Sequence, residues 1–231
     1  MEHVPEDWSR GLAVVAHPDD LEYGAASAIA RWTGQGKEIA YVLVTSGEAG
    51  IDSRPPEVVR PLREEEERRS AAEVGVNVID FLHHPDGQVE AGLPLRRDIA
   101  AAIRRHRPEV VVTMTFGLTP WGSSINHADH RAVGLATLDA CRDAANRWLH
   151  PDLAPPWQGV DAVYVLGEEA THYVDVTATI ADGVASLRRH EAYLDGLGTD
   201  FDPDEFLRGG AAEAGRTVGC ESAVLFRRYS T

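Results

Sequence analysis

Short apolar runs recur along the chain, separated by helical and turn-rich stretches. Gly11–Ala16 is nearly all apolar and stops at His17-Pro18, which predicts a buried strand. Further runs predict strands at Ile39–Thr45, Asn77–Leu82, Glu109–Thr115 and Val160–Leu166, with a sixth at Tyr173–Val176. Between them, 23–33, 57–74, 94–107, 128–148 and 179–194 read as helices. The first stops at Thr33-Gly-Gln-Gly36, the second at Gly75 and the third at Pro108. Residues 1–10 read as a loose arm. The tail from Gly196 reads as turns leading to an apolar stretch, Ala223–Phe226.

Strands that alternate with helices and are apolar throughout predict an α/β fold: a doubly wound, mostly parallel Rossmann-like sheet with helices on both faces. At 231 residues the chain is read as one such domain, 1–231, with 1–10 as an arm and 196–231 as a C-terminal elaboration. Ligands in these sheets bind beyond the carboxyl ends of the strands. The polar clusters at 17–22, 45–50, 83–87 and 116–130 each follow a strand, so four loops can converge on one site.

Composition narrows the partners. With 37 acidic against 22 basic side chains the net charge is −15, which argues against nucleic acid and anionic membrane surfaces. A small anionic substrate held by local arginines stays open. No apolar run approaches a membrane span, and MEHVPEDWSR has no basic lead into an apolar stretch, so no secretory leader is expected. Cys141 and Cys220, far apart and without C-x-x-C, read as two reduced thiols in a cytoplasmic protein. Nothing in the composition opposes homo-oligomers.

Two clusters carry candidate chemistry. His17-Pro-Asp-Asp-Leu-Glu22 sets an imidazole and three carboxylates at the end of the first strand. A turn can aim His17 and Asp20 at one point, although Asp19 or Asp20 can equally cap a helix N-terminus. Asn126-His-Ala-Asp-His-Arg131 ends the long loop Phe116–Asn126 and opens a helix. One histidine there would read as a surface or core residue; two histidines and Asp129 together point to metal or acid–base chemistry. A catalytic metal site takes three protein ligands and keeps one position open. His17, Asp20 and one of His127 or His130 supply such a set, suited to zinc and also to iron, cobalt or nickel. Asp19 and the other histidine are then free for proton transfer.

Ala16-His-Pro-Asp-Asp-Leu-Glu-Tyr-Gly24 with the later His127-Ala-Asp-His130 resembles the PIG-L/LmbE family of metal-dependent N-deacetylases. Thr45-Ser-Gly-Glu-Ala-Gly50, Arg63-Glu-Glu-Glu66 leading to Gly75, and Pro85-Asp-Gly87 support the likeness, which runs from residue 11 to about 194. The resemblance implies a hydrolase that removes an acyl group, acetyl above all, from the amine of an N-acetylglucosamine-type sugar conjugate or natural-product intermediate. It implies that His17, Asp20 and His130 hold Zn2+ (Fe2+ or another divalent metal in its place), that Asp19 is the base and His127 the acid, and that Asp129 orients His127. Three positions depart from the family pattern: Leu21 with Glu22 after it, Ala128 in place of a frequent proline, and Ile125 where some members carry a tyrosine that helps the oxyanion.

Secondary candidates are Arg63, Glu48, Asp86 and Trp121, each a potential substrate contact. Arg63 lies in a charged run that also reads as a solvated helix face, and Pro85-Asp-Gly87 is equally a turn. His83, His84, His106, His150, His172 and His190 lack motif support. Other readings are a non-haem iron enzyme using the same His/Asp/His set and a non-catalytic metal-binding family member. A dinucleotide enzyme needs G-x-G-x-x-G where this chain has His17-Pro-Asp-Asp20.

Overall fold

The computed structural model describes residues 1–119, 123–198 and 201–231. Its strands are β1 (Glu2–His3), β2 (Arg10–Val15), β3 (Glu38–Leu43), β4 (Val78–Phe81), β5 (Val110–Met114), β6 (Ala162–Leu166), β7 (His172–Asp175) and β8 (Ala223–Ser230). Its helices are α1 (Ala26–Gly34), α2 (Pro56–Glu73), α3 (Leu93–His106), α4 (Ala128–Ala145), α5 (Ile180–Leu187), α6 (Glu191–Gly196) and α7 (Pro203–Val218). The strands form one sheet in the order β1-β7-β8-β6-β5-β2-β3-β4. Every pairing is parallel except those of β8, which runs antiparallel to both β6 and β7.

The central strands are buried on both faces. Ala13 and Val15 of β2 and Tyr41 and Leu43 of β3 pack into one core with Ile29 of α1, Val184 of α5 and Leu207 of α7. Leu12, Val14 and Val42 point the opposite way, to Ile99 of α3 and Val133 of α4. This period-two division is why the strands read as unbroken apolar runs rather than as alternating ones.

The sheet order also places the site. From β2 the chain winds outward through β3 to β4, then returns to lay β5 on the other side of β2. The connections after β2 and β5 therefore diverge to opposite faces and leave a crevice at their carboxyl ends, where such folds bind ligands. The polar clusters at 17–22 and 126–131 follow these two strands.

The ends differ from expectation. The first ten residues are pinned rather than loose: β1 pairs with β7, Val4 and Trp8 are buried, and Lys37 Nζ donates to the carbonyls of Glu6 and Trp8. The tail contains the full helix α7 before the antiparallel strand. Its glycines concealed that helix, and one of them is required by packing: a Cβ at Gly215 would sit 2.7 Å from the carbonyl oxygens of Cys220 and Glu221. The helix expected over 179–194 breaks at His190, between α5 and α6.

Candidate metal centre

The turn after β2 is closed by Asp20, whose Oδ2 accepts the backbone N–H groups of Ala16 (3.0 Å) and His17 (2.8 Å). Its Oδ1 is turned across the crevice to 3.1 Å from Nε2 of His130, in the first turn of α4. His17 Nδ1 lies 3.1 Å from the same His130 nitrogen and 3.6 Å from Asp20 Oδ2. The far nitrogen of each ring faces oxygen acceptors. His17 Nε2 lies 3.1 Å from Asp86 Oδ1 and 3.3 Å from Asp129 Oδ2; His130 Nδ1 lies 3.1 Å from Asn126 Oδ1.

That arrangement assigns the tautomers. A proton on each far nitrogen satisfies those acceptors and leaves a lone pair on each near nitrogen. Two imidazole lone pairs and a carboxylate then face one another, which calls for a cation. Tetrahedral coordination at about 2.0–2.1 Å sets donors roughly 3.3 Å apart, within the spread seen here. His17, Asp20 and His130 thus fit a divalent transition metal in donor type and in spacing. The electrostatics agree. Burial alone would lower the His17 pKa, but the charge of Asp20 and the hydrogen bonds to Asp129, Asp20 and Asp86 raise it well above the usual value. Burial alone would raise Asp20, yet His130 and His17 hold it far below the carboxylate range. A site that favours added positive charge in this way suits a metal ion in place of the proton.

Asp19 and His127 flank the triad. Asp19 is 5% exposed and has φ +93°, a left-handed conformation. Its Oδ2 accepts from Arg63 at 3.0 Å, and burial raises its pKa against the pull of Arg63, a direction that suits a base. His127 is the exposed N-cap of α4, and its Nδ1 accepts from the Asp129 N–H at 3.3 Å. In the neutral ring Nε2 then carries the proton. Its ring lies 5.0 Å from that of His17 and 5.3 Å from that of His130, and burial with the charge of His17 lowers its pKa.

A family model described as PIG-L, GlcNAc-PI de-N-acetylase, matches residues 12–141, a span that contains all of these groups. The chain belongs to the PIG-L family. Among curated relatives, the diacetylchitobiose deacetylase of Thermococcus kodakarensis is 29% identical over 195 residues, covering 80% of this chain and 70% of the relative. Among solved structures, the N,N'-diacetylchitobiose deacetylase of Pyrococcus horikoshii superposes with a TM-score of 0.84 at 22% identity, over 97% of this chain and 85% of that one. The 4-carboxy-2-hydroxymuconate hydratase GalB of Pseudomonas putida superposes with a TM-score of 0.75 at 18% identity, over 96% and 97%. The PIG-L fold is therefore shared by proteins of different named activities.

Other expected site residues have definite places. The Asp129 carboxylate, expected against His127, turns instead to His17 and is locked there by the N–H groups of Gly87 (2.7 Å) and Val89 (3.1 Å). The reason is local: Asp129 heads α4 with its side chain inward, while His127 caps the helix from outside. Asp86 also abuts His17, and its Oδ2 accepts the Ala49 N–H at 2.8 Å. Glu48 accepts from Arg60 (2.9 Å) and from the backbone of Ser46 and Asp86, tying two of the loops together. Arg63, expected at the substrate, is 1% exposed beneath the turn after β2, where it also donates to the Pro18 carbonyl and lies 4.0 Å over the Tyr193 ring. Trp121 lies outside the described residues. Ile125 is 77% exposed.

Two features escaped the sequence. Asn126 holds His130 through Oδ1 while its amide donates to the carbonyls of Thr115 (2.9 Å) and Gly117 (3.0 Å); the i,i+4 spacing to His130 was the available signal. The second is a tier of buried polar groups behind the turn. Arg63, Glu66, Glu67 and Ser70 of α2 are all buried; Ser70 bonds Glu22 and Ser186, Glu67 faces His190, and Glu66 accepts the Ala192 N–H. Burial and the charge of Glu22 push Glu67 well above the carboxylate range. Nothing in the α2 sequence marks which of its charges face inward.

Proposed function

We propose that this chain is a metal-dependent N-deacetylase acting on an N-acetylglucosamine-type amino-sugar conjugate. The observation that carries the reading is the convergence of His17 Nδ1, His130 Nε2 and the Asp20 carboxylate, with their far sides saturated by acceptors. When bound there, a divalent cation, Zn2+ above all, supplies Lewis acidity that acidifies water and polarises the acetyl carbonyl.

The side chains perform the rest. Asp19 takes a proton from the water that attacks the carbonyl carbon. His127, once protonated, gives up its Nδ1 contact with the Asp129 N–H, donates from Nε2 to the developing oxyanion and then passes that proton to the amine nitrogen as the C–N bond breaks. The proton on Asp19 returns to His127 through solvent, so the water has been divided between acetate and the freed amine. An amine leaves poorly unprotonated, so both an acid and a base are needed. The Asp129 and Asp86 carboxylates orient His17, as Asn126 orients His130. The substrate class is supported by the names of the relatives, which are diacetylchitobiose deacetylases.

The likeness to GalB supports a second reading, hydration of an unsaturated acid on the same triad. One experiment separates the two. Metal-reconstituted protein is assayed for acetate release from a panel of N-acetylated amino sugars, with Asp19→Asn as the control. Release that vanishes in the variant is the expected result. Full metal occupancy without release from any amino sugar would overturn the deacetylase reading.

A further inference from the structure

Asp19 is held in an unfavourable conformation, and the groups that hold it are buried behind it. At φ +93° an aspartate occupies a region open chiefly to glycine, and such strain persists only where the surroundings over-determine it. The flanking residues are fixed: Arg63 grips the Pro18 carbonyl, and Asp20 caps the N–H groups of Ala16 and His17. The Asp19 N–H itself points into the core, where it donates to Glu67 Oε2 at 3.4 Å.

Glu67 is 0% exposed, and its Oε1 has no hydrogen-bond partner among the described residues. His190, also 0% exposed, sits with Nε2 3.7 Å from Glu67 Oε2 and 3.8 Å from Glu22 Oε2. Neither separation is a hydrogen bond, and neither His190 nitrogen has a partner among the described residues. Glu22 is held from its other side by Ser70 Oγ at 2.7 Å. Two carboxyls and an imidazole buried together in the core cost stability that apolar side chains would not. Glu67 reaches the turn after β2 through the Asp19 N–H.

We propose that Glu67, wedged by His190 and Glu22, is a positioning residue that fixes the left-handed Asp19 backbone and thereby aims the Asp19 carboxylate at the metal triad. The role rests on Asp19 being the base. It assigns a function to His190, which the family motifs at the crevice leave without one. Glu67 touches neither substrate nor triad, so its loss acts on the chemical step and not on binding.

The test compares Glu67→Ala, Glu67→Gln and His190→Ala in the full chain. A misplaced base costs on the order of 100-fold in rate, so E67A is expected to lose about that in kcat for acetate release, with KM and metal content unchanged. E67Q keeps an acceptor oxygen for the Asp19 N–H and restores most of kcat. Amide hydrogen exchange supplies a readout apart from activity: the Asp19 amide is protected in wild type and E67Q and exchanges faster in E67A. If no amino sugar proves to be a substrate, the exchange result still decides whether Glu67 holds the turn. An Asp19 amide equally protected in E67A overturns the proposal. A parallel fall in kcat, metal content and melting temperature in all three variants makes the tier merely structural and overturns it too. A second bound metal equivalent, lost only in H190A, would make the cluster a cation site instead.

Discussion

Asp129 is the residue whose role the structure redirects, and Asp129→Asn tests that redirection. The carboxylate is fully buried and accepts from the Gly87 and Val89 N–H groups while facing His17 Nε2. An amide offers one acceptor oxygen in place of two. If that oxygen keeps Gly87 and His17, the NH2 group confronts the Val89 N–H; if it keeps Val89, both Gly87 and His17 Nε2 lose their acceptor. Leaving one buried donor unpaired costs about 1–3 kcal/mol of stability. For a chain this size that lowers Tm by roughly 2–4 °C per kcal/mol. Loss of an outer partner of a metal-ligating histidine typically weakens metal binding about 10–100-fold. Asp86 remains beside His17 at 3.1 Å, so the lower end applies here. A tenfold loss corresponds to about 1.4 kcal/mol. Competition with a chromophoric chelator measures the affinity directly. Zinc affinity unchanged in D129N, with acetate release abolished and the pH–rate profile displaced, would place Asp129 behind His127 and refute the reading from its contacts.

Three further outcomes follow from particular contacts. Asp19→Asn should bind metal as wild type does and lose acetate release, whereas Asp19→Gly should melt above Asp19→Ala by about 1 kcal/mol of stability because φ +93° suits glycine; equal melting of the two would show that the turn is relaxed. Gly134→Ala would press a Cβ to 2.5 Å from the Met114 carbonyl, costing about 1–3 kcal/mol and shifting α4, so both Tm and metal affinity should fall. Burial pushes the Cys141 thiol up to about 12. The unfolded thiol ionises near pH 8.5 and the folded one does not, so this group's contribution is intact below that pH. It is lost as pH rises towards about 12, at up to about 1.4 kcal/mol per unit. Denaturation midpoints of wild type and Cys141→Ala should therefore converge above pH 9; parallel curves would mean that the thiol ionises in the native state.

The sheet was legible because each central strand is covered on both faces, so its apolar run survives without alternation. The triad was legible for a related reason: its residues cluster in sequence just beyond β2 and β5, and the reversal of strand order brings those two ends together. The C-terminal third was harder. Gly209, Gly210 and Gly215 lie inside α7, where propensity argues against a helix, and packing against β8 overrides it. The N-terminal arm carries too few residues in β1 to show a period at all; its order comes from pairing with β7, some 170 residues away in sequence.

Charge was the least legible property, and α2 shows why. Periodicity finds an inward face only where that face is apolar, and the inward stripe of α2 is Arg63, Glu66, Glu67 and Ser70. Glu64, Glu65, Arg68 and Arg69 differ from them in no residue type; there the i,i+4 pair Glu65–Arg69 lies at the surface as a solvated helix would have it, while Glu64 pairs with Arg68 from a half-buried position where it also accepts from Ser46 Oγ. One helix thus carries two charged faces, and only tertiary contact distinguishes them. The outward pairs are worth a few tenths of a kcal/mol each. The inward groups are desolvated: Arg63 and Glu67 reach the Pro18 carbonyl and the Asp19 carboxylate and N–H, Glu66 the Ala192 N–H, and Ser70 the Glu22 carboxylate and Ser186. The Arg63 and Glu67 contacts sit on the turn after β2. Buried polar groups here are directed at a segment whose backbone is left-handed at Asp19, which links the cost of the tier to the geometry of that turn.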